Sequence, residues 1–303
     1  MIGLVAGGCE SPSSAGFDAV PDGNLGDVAG DVGDDREASA SPVCARWRAD
    51  YGGGGGRWTG AVASCDPGTY EAPGPEDALR QVNLYRWLAD LPEVGLDPDK
   101  SADAQACALM MHANDTIEHV VPESWECWTR EGAAAAGLSN LATTSAVQSV
   151  DLYMTDNGVP NLGHRRWLLS NSLGPIGVGS TSRYSCLHVL GGEGDARARW
   201  VAWPPPGEVP VQALHIEGWL DVDSAGWSLQ SDYIDVRRGE VTVMRNGTRL
   251  SVSTWVLDAG YGSSFGLGIR PVGWRTAVGE TYEVTVTGLA EAITWSFTVV
   301  DCR

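Results

Sequence analysis

The stretch Gly163–Ser180 reads GHRRWLLSNSLGPIGVGS. Its first half, with Trp167, Leu168 and Leu169 behind Arg165 and Arg166, predicts a short helix over Leu162–Ser170. Gly174 and Pro175 then break the pattern, and the apolar Ile176–Val178 reads as a strand. Working outward, Ser145–Thr155 reads as a helix, as does the Ala-rich run AQACALMMHAND, with Ser101 or Asp103 as its cap. Glu76–Leu91 places Leu79, Val82, Leu84, Tyr85 and Leu88 near helical spacing, between a Pro-rich start and Pro92. Downstream, Ser185–Leu190 and Trp200–Trp203 are short apolar runs bounded by Gly and charged turns, and read as strands. Helices followed by strands in one block predict an α+β layer arrangement over residues 76–204.

After Pro204, Pro205 and Pro206 the character changes. Glu240–Trp255 alternates Val241 and Val243 with polar residues, turns at Asn246-Gly247, and alternates again through Leu250 and Val252, which is a hairpin signature. Phe265–Arg270, Thr281–Thr287 and Ile293–Val300 are further strand candidates, so residues 205–303 are expected to form a small all-β sandwich. Gly262–Gly266 (GSSFG) fits the G-x-S-x-G pattern. A nucleophile elbow needs a strand before it, a helix after it and a downstream histidine, and none follows His215, so the segment reads as a turn. The sandwich is expected to be a spacer or a lid on the first domain, or a partner surface using Trp219, Trp227 and Trp274.

At the other end, Ile2–Gly8 is a short apolar run with small residues before Cys9, similar to a bacterial lipobox in which that cysteine carries the lipid. Residues 10–43 are rich in Ser, Gly, Asp and Ala and read as a disordered acidic tether; residues 44–75, with Gly52–Gly56, read as a Gly-rich extension. The formal charge of −19 argues against nucleic-acid binding, since no basic patch compensates it. No other run is long and apolar enough to span a membrane, so the only expected membrane attachment is a lipid on Cys9. Besides Cys9 there are six cysteines and no CxxC pair, which points to disulfides in an extracytoplasmic compartment. The expected bridges are Cys44–Cys65, closing the extension, Cys107–Cys127, and Cys186–Cys302.

His119 followed by Glu123, SNLA at Ser139–Ala142, GHRRWLL at Gly163–Leu169, GPIGVGS at Gly174–Ser180 and LYR at Leu84–Arg86 form an ordered set that resembles the CAP superfamily, the SCP/PR-1-like domains. The resemblance implies an α-β-α sandwich over residues 76–204. It also implies a central cleft lined by two histidines and two acids, often a divalent metal site. His119 and His164 match the two histidines, and Glu123 is a looser match for one acid. Ser139 stands where the second acid is expected, with Asn140 retained.

Zinc or another divalent cation is the ion such a site would take, but it needs three or four ligands, and a serine hydroxyl replaces neither the charge nor the basicity of a carboxylate. The expected function is therefore a binding or cell-envelope interaction protein, lipid-anchored or secreted, with a protein, glycan or lipid ligand. A metal-dependent hydrolase using His119, His164 and Glu123 is the alternative. Lipid or sterol binding, which the resemblance implies for some members, is a third.

Overall fold

Gly177 and Gly179 explain how the first layer is built. The computed structural model describes residues 41–192, 194–216 and 221–303. In it, strands β1 (Ser139–Ala142), β2 (Gly177–Ser180) and β3 (Ser185–His188) form an antiparallel sheet in the order β1-β3-β2. A Cβ on Gly177 would lie 2.3 Å from the backbone of Lys100, and one on Gly179 would lie 2.1 Å from that of Ala104. The strand repeat of two thus meets the helical repeat of four, and only glycine lets helix α3 (Pro98–Ala113) seat on β2. The same helix satisfies this sheet edge. Ser101 Oγ accepts from Val178 N–H (3.2 Å), and Gln105 exchanges two hydrogen bonds with the Ser180 backbone (3.0 and 3.1 Å).

Alternation along the strands divides the sheet between two cores. Leu141 and Cys186 face a layer of α3 and α4 (Arg130–Ala136), beside Ala104, Ala108, Met111 and Ala135. Ala142, Val178 and Leu187 face the other way, toward α2 (Gly74–Leu88) and α5 (Ala146–Thr155), whose Val82, Tyr85, Val150 and Met154 belong to the main core. This is the expected α-β-α sandwich. The N-cap of α3 is Asp97, not Ser101 or Asp103: its carboxylate accepts from Asp99 N–H and Lys100 N–H, with Pro98 in the first turn.

Before this block comes α1 (Pro42–Asp50), capped by Ser41 inside what the composition reads as tether and extension. The expected lipidation at Cys9 and residues 10–40 lie outside the described residues. After α6 (Gly163–Leu168), the remaining strands form two facing sheets. One has the order β4-β6-β10-β9, from Val201–Trp203, Trp227–Ser231, Phe265–Pro271 and Val252–Leu257. The other has the order β5-β12-β11-β7-β8, from Gly207–Pro210, Ile293–Val300, Thr281–Thr287, Glu240–Arg245 and Thr248–Leu250. Short helices α7 (Val211–Leu214) and α8 (Val222–Ala225) lie between β5 and β6. Asn246 (φ 50°) and Gly247 (φ 77°) make the expected hairpin turn.

The prolines at 204–206 carry the chain from one sheet to the other. The strand before them, β4, pairs with β6, and the strand after them, β5, pairs with β12. The sandwich therefore starts at Val201. Trp227 and Phe297 meet edge to face across it at 5.3 Å, with Tyr282 stacked on Phe297 and Trp274 against Trp227. Trp227 is thus a core residue rather than a contact surface, Trp274 is half-buried, and Trp219 lies outside the described residues. The described residues fall in one compact unit, and three buried arginines show how. Arg86 donates to Pro92 O, Leu168 O and Ser170 O. Arg165 donates to Met154 O, Thr155 O and Gly226 O, and Arg166 to Asp258 O and Ser263 Oγ. GHRRWLL therefore clamps the sandwich onto the helical block, and the GSSFG turn is one of its anchor points.

All three expected disulfide pairings are corrected. The structure joins Cys44–Cys302, Cys65–Cys127 and Cys107–Cys186. Cys107 lies on the face of α3 that covers the sheet, opposite Cys186 on β3, so it cannot turn outward to Cys127. Cys127 instead ties the 114–129 loop to the extension, and α1 places Cys44 beside the tail that follows β12, where Arg48 donates to Cys302 O.

Candidate functional site

Helix α5 ends at Asp156, which adopts the left-handed conformation (φ 58°) and is almost fully buried. Leu162, also left-handed (φ 48°), starts α6 and turns the chain back. These two turns bring His164 onto Asp156, with Nδ1 and Oδ1 2.7 Å apart, while Asp156 Oδ2 accepts from Arg165 N–H (3.2 Å). A carboxylate that accepts from Nδ1–H fixes the imidazole tautomer and leaves Nε2 as the acceptor a ligand can meet.

The rest of the cleft supports this dyad. Tyr153, one turn before Asp156, packs against the His164 ring at 5.3 Å, and its hydroxyl donates to Asn140 O (3.0 Å). Burial pushes the Tyr153 phenol well up, so it stays protonated as that donor. Asn140 Nδ2 donates to His164 O (3.2 Å), which ties SNLA directly to GHRRWLL. The dyad opens on a cavity of about 180 Å³ whose other walls include Ile117, Leu141, Leu152 and Val159. One polar pair in a largely apolar wall can orient a ligand by a single directed hydrogen bond.

The other expected site residues are elsewhere. His119 is exposed, and its Nδ1 lies 2.9 Å from Ala136 O; Glu123 is exposed on the same loop, and neither lines the cavity. Ser139 is buried in β1, with no partner for its hydroxyl. Among the described residues, His119, His164 and Glu123 belong to no group of three whose ligand atoms converge. The residues present therefore do not fit the divalent cation that the resemblance implies.

One group does converge, His215, Asp221 and Asp223, but its atoms are already engaged. His215 Nδ1 meets Asp221 Oδ1 (3.0 Å) and Nε2 meets Thr276 Oγ1 (2.7 Å). Asp221 accepts from Arg275 and Ser224, and Asp223 accepts from Trp227 Nε1–H and from the N–H and hydroxyl of Thr276. A guanidinium 2.6 Å from Asp221 supplies the charge a metal would, so this is a structural clasp.

Asp156 is the residue of the candidate site that sequence reasoning missed. Its signal was the MTDNG run, an acid at a helix end before a glycine turn, eight residues before His164. A second buried acid was also unforeseen: Asp151 accepts from Tyr85, Tyr51 and Gln81 (2.6, 2.8 and 2.7 Å). Burial pushes its carboxyl up, and its partners on α2 and after α1 mark it as a packing anchor.

Residues 79–188 match CAP, the Cysteine-rich secretory protein family. A search of curated proteins finds no match for the chain. The matched span covers most of the layers and the dyad just described, so the similarity to CAP domains lies in this part of the chain.

Proposed function

We propose that this is an extracytoplasmic CAP-domain binding protein of the cell envelope, anchored by a lipid on Cys9 or secreted, and not a metallohydrolase. The observation that carries the reading is the cleft itself. It offers one Asp–His pair, the aspartate buried and the histidine partly exposed, in an apolar wall where a metal site would need three converging ligands. Three disulfides support an oxidising compartment, because such bridges persist outside the reducing cytosol. No described helix is long and apolar enough to cross a membrane.

Native mass spectrometry of the full oxidised chain, titrated with zinc and with calcium at neutral pH, tests the reading against the His164→Ala variant. The expected result is no stoichiometric adduct that depends on His164. A one-ion adduct abolished by His164→Ala would overturn it and restore the hydrolase.

A further inference from the structure

We propose a second binding site, for an uncharged oligosaccharide, in the seam between the CAP domain and the β-sandwich. A cavity of about 610 Å³ opens there, within the roughly 300–1,000 Å³ typical of small-ligand clefts. Its walls come from both halves: Trp167 and Asn171 from the GHRRWLL segment and its exit, Asp195 and Arg197 from the following loop, and Asp232 and Tyr233 from the turn after β6.

The chemistry of these walls is that of sugar recognition. Pyranose rings present an apolar C–H face, which suits an aromatic surface, and rows of hydroxyls that must both donate and accept. Tyr233 is 54% exposed, and Trp167 is half-buried and lines the cavity. Asp232 is fixed in advance, since Oδ2 accepts from Asn171 Nδ2 (3.1 Å) and Oδ1 from Ser264 N–H (2.9 Å). A carboxylate has about four acceptor positions, so a held Asp232 still has capacity for hydroxyl donors. Asp195 and Arg197 are exposed, and their side chains make no hydrogen bond or ion pair with another described residue. They add one acceptor and one forked donor.

Length and charge narrow the ligand. A further cavity of about 200 Å³ shares Gly194, Asp195 and Ala196 with the first and continues past Glu93, so the groove suits a chain of rings rather than one. Acids outnumber the free guanidinium along it, and the whole chain carries −19, which repels polyanions. An uncharged glycan meets no such barrier. Nothing in this site uses the His164–Asp156 cleft.

Calorimetric titration of the full oxidised protein with cellohexaose, chitohexaose and maltohexaose tests the proposal. One of the three is expected to saturate a single site. Tyr233→Ala and Arg197→Ala, both changes to exposed side chains, should each weaken binding by about tenfold, equivalent to roughly 1.4 kcal/mol. His164→Ala should leave it unchanged. Failure of all three sugars to bind, binding insensitive to Tyr233→Ala, or displacement of the sugar by a sulfated polysaccharide would each overturn the proposal.

Discussion

Replacing Arg165 with methionine should cost more stability than any surface change in this protein, and the structure says how much. The guanidinium is fully buried and donates to Met154 O at 2.6 Å, Thr155 O at 2.7 Å and Gly226 O at 2.7 Å. Burial pushes Arg165 down to about 10, so it remains a cation at neutral pH. Hydrogen bonds to a charged group contribute about 1.5–3 kcal/mol each, and an orphaned buried carbonyl costs about 1–3 kcal/mol. Removing the cation also removes its own burial penalty, which offsets part of that loss. The net expectation for Arg165→Met is about 3–5 kcal/mol, a large share of the roughly 5–15 kcal/mol that holds a folded chain together. Arg165→Lys keeps the charge but not the fork, and should lose at least about 2 kcal/mol. Urea unfolding followed by tryptophan fluorescence, with disulfides intact, reads this as a midpoint lowered by roughly 1–1.7 M at a slope of about 3 kcal/mol per M. A midpoint shift below about 0.3 M for Arg165→Met, or a lysine variant equal to the parent, would refute the clamp.

Three further outcomes are expected. Gly179→Ala puts a methyl 2.1 Å from the Ala104 backbone, so α3 must lift from β2 and about 3 kcal/mol or more is lost; a loss under about 1 kcal/mol in the same urea assay would contradict that packing. Changing Cys44 and Cys302 together to serine opens a bridge across 258 residues and should cost about 3–5 kcal/mol, whereas an unchanged midpoint would mean the bridge holds nothing in place. Burial, helped by Lys100 for His188 and by Arg183 for His112, holds both imidazoles below the ordinary 6.5. Below pH 6.5 the unfolded chain binds protons that the folded chain refuses. Stability should therefore fall as pH drops from 7.5 to 5, and His112→Gln with His188→Gln should flatten that slope; equal slopes in parent and double variant would rule this out.

How much of this was legible depended on whether the signal was local. Thr281–Thr287 and Ile293–Val300 alternate because one face is buried, and Asn246-Gly247 names its own turn, so these elements appear at the expected bounds. Trp227–Ser231 is buried along its whole length and shows no alternation, and four-residue SNLA is too short for any period, so both strands were missed. Disulfide connectivity is a property of the packed layers: Cys107 meets Cys186 because one helix face covers one strand, which spacing along the chain does not encode. In the candidate site, the motif located His164 but not its partner. Asp156 is placed by two left-handed turns, at Asp156 and Leu162, neither of them glycine. Arg165 and Arg166 lie on the expected short helix, yet both are fully buried because some of their acceptors, Gly226 O for Arg165 and Asp258 O for Arg166, come from more than sixty residues downstream.

The Cys44–Cys302 bridge has a mechanical consequence. Its two Cα atoms are 4.7 Å apart, close to the first and last described residues, Ser41 and Arg303. Tension applied between those two residues would run through one covalent S–S bond and bypass every sheet and helix in between. Pulling on the oxidised protein at residues 41 and 303 should therefore leave the fold intact, whereas after reduction the same pull would act across β12 and α1 and unravel the fold from its ends.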